Sequence, residues 1–308
     1  MEIPHIPVLL EQVKHTFSDI GDGYIVDCTL GYGGHSEALL TQNPHVRLIC
    51  CDQDAEAIAF SQKRLANFKD RVLFEHTRFS TVVKKYAHFP IRGVLADIGV
   101  SSLQLDKKDR GFAFDSDVLD MRMNPQNPLS AYEVVNNYSK NELEEILREY
   151  GEVSGFQKIA QSICDERAIK PIKSAKELCE TIEKAGFKRT AKIHPATLVF
   201  QAIRIEVNNE LGELDTLLES IYRSNINDCT VAIITFHSLE DRIVKRTFKD
   251  WAQPCVCPPH VMRCVCGKNH SLGKVLTKKP IEAKDDEIRA NPRSRSAKMR
   301  VFKLERDV

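Results

Sequence analysis

The chain has 308 residues, of which 42% are hydrophobic and 28% charged. At about 150 residues per domain, that length predicts two domains. The composition excludes a mainly disordered chain, a collagen-like fibre and a small disulfide scaffold. No apolar run approaches the roughly 18 residues of a membrane-spanning helix. The start Met1-Glu2-Ile3-Pro4-His5 lacks the basic and apolar stretches of a secretory signal, so a cytoplasmic protein with no membrane partner is expected.

Charge is unevenly placed. The net value is +1 from 44 basic and 43 acidic residues, yet Arg242 to Val308 holds 17 Lys and Arg against 7 Asp and Glu. A basic end on an acidic body suits a polyanionic partner, although a solvated basic surface gives the same arithmetic. Of ten cysteines, Cys28, Cys50, Cys51, Cys164, Cys179 and Cys229 are scattered, and in this setting they read as reduced and buried.

In chain order, Tyr24–Leu30, Val46–Asp52, Arg71–Glu75 and Gly93–Ile98 are short apolar runs that read as buried strands. Helical patterns such as Ala55–Leu65 fit between them. That alternation predicts βαβ units and a doubly wound parallel sheet. After Ile98 a polar stretch runs to about Pro128. Three capping-box patterns follow at Ser130–Glu133, Ser139–Glu142 and Ser174–Glu177. Leu143, Ile146, Leu147 and Tyr150 share a helical face, as do Phe156, Ile159, Ala160, Ile163 and Cys164. His194-Pro195-Ala196 is read as opening one long helix with Leu198, Ala202, Ile205, Leu214, Leu218 and Ile221 on its apolar face. Thr230–Phe236 is a fifth buried strand, and Lys274–Lys278 with Lys298–Leu304 could form a final strand pair. The expected domains are therefore 1–109 and 194–308 for an α/β core, with an all-helical insertion at 110–193.

The first strand runs into Asp27-Cys28-Thr29-Leu30-Gly31-Tyr32-Gly33-Gly34-His35. Glycines there allow a tight turn and close backbone approach to a ligand at a helix N-terminus. Asp52, at the end of the second strand, can accept hydrogen bonds from ribose hydroxyls. The glycines are too close together for the Gly-x-Gly-x-x-Gly dinucleotide spacing. Asp27 would repel a pyrophosphate but suit a cationic amino-acid head, which favours S-adenosylmethionine over NAD. Asp97 ends the fourth strand, where a doubly wound sheet opens a crevice. A helix cap is the alternative reading for that acid. His237 ends the fifth strand and is a candidate proton acceptor near neutral pH, with a structural histidine as the alternative. Within the Cys-rich loop 254–270, Cys255-x-Cys257 and Cys264-x-Cys266, with His260 and His270 nearby, suit zinc. A reduced or redox-active loop is the alternative.

Taken together, the motifs resemble the bacterial ribosomal RNA small subunit methyltransferase H family (MraW-type). The matching segments are His5–Leu10, Asp27–His35, Asp97–Asp106, Arg110-Gly111-Phe112, Asp120-Met121-Arg122-Met123, His194–Thr197, Phe200–Ile205, Phe236–Arg242 and Asn291-Pro292-Arg293. They span nearly the whole chain in one order. Ile98, Ala113 and Asn124 depart from the expected Leu, Ser and Asp. The resemblance implies a Rossmann-like S-adenosylmethionine-dependent methyltransferase with an inserted helical substrate-recognition domain. It implies methylation of N4 of a cytidine in the decoding centre of 16S ribosomal RNA. The cofactor contacts it implies are Gly33, Gly34, His35, Asp52, Phe79, Asp97 and Gln104. Arg289, Arg293, Arg295, Lys298 and Arg300 are candidate phosphate contacts. A methyltransferase of another RNA or protein, and a non-catalytic assembly factor, remain as alternatives. Whether the chain is a monomer or a homodimer is left open.

Overall fold

The structure is a computed structural model that describes residues 6–186, 196–258 and 263–306. The expected helix start at His194-Pro195 lies outside these residues, as do His5 and His260. No described helix is long and apolar enough to cross a membrane.

Eight strands form one sheet: β1 (Gly23–Asp27), β2 (Val46–Asp52), β3 (Val72–His76), β4 (Ile91–Asp97), β5 (Cys229–Thr235), β6 (Gly273–Val275), β7 (Ile281–Glu282) and β8 (Lys298–Leu304). Their order is β3-β2-β1-β4-β5-β8-β6, with β7 also on β8. Strands β1 to β5 are parallel, and β8 runs antiparallel to β5. The helices are α1 (Leu10–Thr16), α2 (Gly34–Gln42), α3 (Ala55–Arg64), α4 (Phe79–Tyr86), α5 (Ser102–Asp106), α6 (Ala131–Asn137), α7 (Lys140–Glu149), α8 (Phe156–Ile169), α9 (Ala175–Lys184), α10 (Ala196–Asn208), α11 (Glu210–Arg223), α12 (Ser238–Trp251) and α13 (Asp285–Ala290).

The chain divides into two compact units, 1–99 with 213–308, and 100–212. In the first unit the sheet is covered on both faces, which is why its strands read as continuous apolar runs. All seven residues of β5 are buried. One face packs Val26, Ile49, Val94, Val231 and Ile233 with Leu214, Leu218 and Phe248. The other packs Ile25, Leu48, Leu95 and Ile234 with Leu39, Leu40 and Phe17.

The second unit has its own core. Leu143, Ile146 and Leu147 of α7 meet Ile159, Ala160 and Ile163 of α8 there, on the faces that the periodicity selected. At Ser139 the capping box is complete: Ser139 N–H donates to Glu142 Oε2 at 2.6 Å, and Glu142 N–H donates to Ser139 Oγ at 3.3 Å. At Ser174 the hydroxyl accepts from Glu177 N–H, but the Glu177 carboxylate is taken by Lys173 N–H instead.

Two expectations change. The long helix expected from 194 is two helices, because Asn209 adopts a left-handed φ of 49° between α10 and α11. Asn is among the few residues that tolerate that conformation. The break lets α10 bury Val199, Phe200, Ala202 and Ile203 in the helical core, while Leu214, Leu218 and Ile221 of α11 join the sheet core. Leu198, expected on the apolar face, is exposed. The compact units divide at 99/100 and 212/213, the second division lying just after the break at Asn209. α10 belongs to the helical unit, not to the second part of the α/β core.

Candidate active site

In the sheet unit, parallel strands bring their C-terminal ends to one edge. The chain advances β1 to β2 to β3 on one side and β4 to β5 on the other. The reversal therefore lies between β1 and β4, where open α/β sheets receive ligands. Three acids are the last residues of the strands there: Asp27 of β1, Asp52 of β2 and Asp97 of β4.

The glycine turn that follows β1 is held from α3. Ser61 Oγ donates to the Gly31 carbonyl at 2.8 Å, and Arg64 Nη1 donates to the Tyr32 carbonyl at 3.1 Å. Arg64 is itself anchored to Glu37 at 2.7 Å. Gly33 has φ 73°, and a Cβ there would meet Ser61 Oγ at 3.0 Å. A Cβ on Gly34 would lie 2.4 Å from Pro7 Cγ. The two glycines thus make room for the chain's own Ser61 and Pro7, partners that the sequence did not reveal. The Pro7 segment is pinned in turn: Leu9 N–H donates to Glu287 Oε1 at 2.7 Å, and Asn291 Nδ2 donates to the Ile6 carbonyl at 3.1 Å.

Asp52 accepts from Gly31 N–H at 2.8 Å through Oδ2 and from Asp54 N–H at 2.9 Å through Oδ1. Each oxygen keeps a second lone pair. Burial pushes its carboxyl up to about 6, against the lowering effect of those two N–H groups. The Asp52 carbonyl accepts from Thr77 N–H at 3.0 Å, which places the turn into α4 beside it. Phe79, the first residue of α4, is half-buried against the sheet core.

Asp27 does not offer a free carboxylate, contrary to the expectation that it meets a cationic head. It is 1% exposed and accepts from Ser36 Oγ at 2.6 Å and Thr29 N–H at 3.2 Å. Burial raises its carboxyl above the usual range. It forms the floor of the site.

Asp97 and His35 differ from Asp27. Both are at or near the sheet edge, with His35 Nε2 3.5 Å from Asp97 Oδ2. Among the described residues, neither ring nitrogen of His35, nor Asp97 Oδ1, has a hydrogen-bond partner, although all three atoms are buried. Buried polar atoms are normally paired, so these atoms are candidate ligand contacts; His237 Nδ1, His237 Nε2 and Glu240 Oε1 are in the same state elsewhere in the sheet unit. A donor with an ammonium and hydroxyl groups fits them, and it fits the spare lone pairs of Asp52.

His237 is the N-cap of α12. Its Nε2 lies 3.0 Å from Glu240 Oε1, out of line for a hydrogen bond, while Glu240 Oε2 accepts from Phe236 N–H at 2.9 Å. The ring is therefore inside the sheet unit against a fully buried carboxylate. In the helical unit, Gln104 is 4% exposed, and its Oε1 accepts from Ser101 N–H at 3.0 Å. That bond closes the turn into α5. Asn124, where an Asp was expected, uses its side-chain oxygen to accept from Gln126 N–H at 3.0 Å.

Of the basic candidates, Arg300 is withdrawn as a phosphate contact. It is 6% exposed and forms a two-point pair with Asp241 at 2.6 and 3.0 Å. Arg289 and Arg295 are exposed. Cys28, Cys50 and Cys51 are buried, and burial pushes their thiols well above the usual range, so they act as packing. The sulfurs of Cys255, Cys257, Cys264 and Cys266 lie within 4.8 Å of one another, on the surface.

Strand order, the acid at each of three adjacent strand ends and the glycine turn define a Rossmann-like, S-adenosylmethionine-dependent methyltransferase core. Residues 2–305 match the family described as the MraW methylase family. The chain is 56% identical over 305 residues to "Ribosomal RNA small subunit methyltransferase H" of Aliarcobacter butzleri, covering 99% of this chain and 100% of that protein. It is 56% identical over 307 residues to the protein of the same name from a Sulfurovum species, covering 100% of both. The chain belongs to the MraW methylase family.

Proposed function

We propose that the chain transfers the methyl group of S-adenosylmethionine to the exocyclic N4 amine of a cytidine in the decoding centre of 16S ribosomal RNA, in the cytoplasm. The observation that carries the reading is the unpaired trio of His35 Nδ1, His35 Nε2 and Asp97 Oδ1. Each such atom destabilises the free protein by about 1–3 kcal/mol. The nature and position of the methylated base rest on the family resemblance alone, while the relatives' names give small-subunit ribosomal RNA.

Bound S-adenosylmethionine supplies a sulfonium methyl open to in-line displacement. The family resemblance sets the backbone of the Gly33-Gly34 turn, which Ser61 and Pro7 pack from the protein side, against the methionine part, and Asp52 accepts from the ribose hydroxyls. Phe79 packs on the adenine, and Asp97 and His35 hold the amino-acid end. A cytosine amine is a weak nucleophile because its lone pair is delocalised, so its orientation contributes much of the rate. The base must leave its stack to reach the methyl. His237 is the candidate acceptor of the proton released by the amine. Exposed Arg289 and Arg295, with Arg293 and Lys298, hold RNA phosphate. The helical unit serves as the substrate clamp. One cleft of this unit, of about 470 Å3, carries Glu142, Glu145, Glu149 and Glu206 in its lining beside Tyr138 and Tyr150. That acidic face repels phosphate, so any RNA contact of this unit uses another surface.

The test is labelled methyl transfer to small ribosomal subunits that lack the modification, with mass spectrometry of the digested RNA. N4-methylcytidine at one site is expected. Asp97→Ala should lower the rate by about 100-fold or more, with loss of donor binding by the folded variant in calorimetry; its stability changes only through the contact of Oδ2 with His35. A methyl group on another nucleotide or on protein would replace the substrate assignment. Failure of folded wild type to bind the donor in calorimetry would remove the reading.

A further inference from the structure

The chain between α12 and β6, residues 252–272, contains no described helix or strand. Uncoupled loops of that length are uncommon inside a compact unit. Its two ends are tied: Leu272 N–H donates to the Trp251 carbonyl at 2.8 Å, and His270 N–H donates to the Pro254 carbonyl at 3.1 Å. Between these ties the four cysteines converge. Sγ–Sγ separations are 3.5 Å for Cys255 and Cys264, 3.9 Å for Cys257 and Cys264, 3.4 Å for Cys264 and Cys266, and 3.7 Å for Cys255 and Cys266.

A tetrahedron of sulfurs at the zinc–thiolate distance of about 2.3 Å has edges of about 3.8 Å. The observed separations bracket that value. Two disulfides would need two pairs near 2.05 Å and no reason to hold both pairs together. A cluster of several irons would spread its sulfurs beyond the 4.8 Å that contains all four here. Val265 N–H points at Cys257 Sγ at 3.4 Å, the kind of donor that stabilises a bound thiolate. The His270 ring is not a fifth contact, since its Nε2 lies 2.9 Å from the Cys266 carbonyl oxygen. Four thiolates close the coordination shell, which marks a structural site with no open position for substrate.

We propose that Cys255, Cys257, Cys264 and Cys266 bind one Zn2+ that cross-links this loop. Binding releases the four thiol protons and leaves a tetrathiolate with no change of oxidation state. The site is independent of the methyl-transfer reading.

The full chain, purified without chelators, should carry about one zinc per molecule by elemental mass spectrometry. Titration with a mercurial reagent should release that zinc in step with loss of four thiols. Co2+ exchanged into the site should show the visible bands of a tetrahedral thiolate complex. Cys264→Ser should carry no zinc, while Cys164→Ser, outside the cluster, should retain it. Metal-free wild type with four freely reactive thiols would overturn the proposal, as would a disulfide among these cysteines or iron in place of zinc. The wild-type measurements decide the matter even if Cys264→Ser fails to fold.

Discussion

Two regions carry the motifs that place this chain in its family, and they use polar side chains in opposite ways. At the ends of β1, β2 and β4, His35 and Asp97 keep buried atoms without partners. In the helical unit, the Arg110 and Asp120–Met123 motifs commit several of theirs to the chain. Arg110 Nη2 donates to the carbonyls of Arg122 and Met123 at 3.1 and 2.9 Å. Asn208 accepts from Met123 N–H and donates to the Met121 carbonyl, both at 2.8 Å. Arg122 pairs with Asp120 at 2.6 Å. A motif in the first region is kept in waiting for a ligand. A motif in the second holds an irregular loop whose Met121 has φ 58°. The patterns look alike as strings, and only satisfaction of their polar atoms tells them apart.

That contrast can be broken by mutation. The largest loss of stability should come from Asn208→Ala, which strands the Met123 N–H and the Met121 carbonyl. A loss of about 3 kcal/mol is expected in denaturant unfolding, with donor affinity of the folded protein unchanged in calorimetry. Equal affinity loss would show that the 120s loop serves the donor site directly.

Gly34→Ala comes next. Its methyl would collide with Pro7, a contact between a turn and a pinned segment. A cost of about 1–3 kcal/mol is expected, read from the unfolding midpoint. If donor affinity fell with stability unaltered, Gly34 would belong to the ligand and not to Pro7.

Asp52 sharpens the comparison through pH. Its carboxyl is raised to about 6, above the unfolded value of roughly 4. The folded protein therefore binds more protons than the unfolded one between those values, and stability falls as pH rises through that window. Donor binding has the opposite sign, because accepting two hydroxyls needs the ionised form. Affinity should rise as pH goes from about 5 to 7, by at most tenfold per unit. Asp52→Asn should flatten both slopes, and calorimetry at several pH values measures this. A slope that persists in Asp52→Asn assigns the proton elsewhere.

The smallest effect concerns the basic end. Replacing Arg289 and Arg295 together should reduce the salt slope of RNA binding by about 2. Replacing Arg300 should instead unsettle folding through Asp241. Unchanged RNA binding in the double variant would place the phosphate contacts elsewhere.

Much of the architecture was legible in the amino-acid order. Buried strands of a doubly covered sheet are apolar on nearly every residue, so Val46–Asp52, with five apolar residues around one exposed Arg47 and a terminal acid, stands out without any partner known. The acids at the strand ends were visible for the same reason, since a charge that stops an apolar run marks the sheet edge. The helical faces around Leu143 and Ile159 follow from a period that local geometry imposes. The break at Asn209 left only a weak trace, the adjacent pair Asn208-Asn209, because the apolar pattern continues through it.

Local chemistry in this chain thus set which segments are strands, which faces are apolar and where the acids and glycines fall. Both periodicity and turn chemistry act within a few residues. The tertiary structure alone decided which polar groups remain unpaired. Asp27 was sealed by Ser36, Arg300 was claimed by Asp241 across 59 residues of chain, Gly34 was set against Pro7, and Asp97 was left open. Those outcomes depend on contacts between segments far apart in the chain, and a hydrogen bond exists only where folding brings both of its partners within reach.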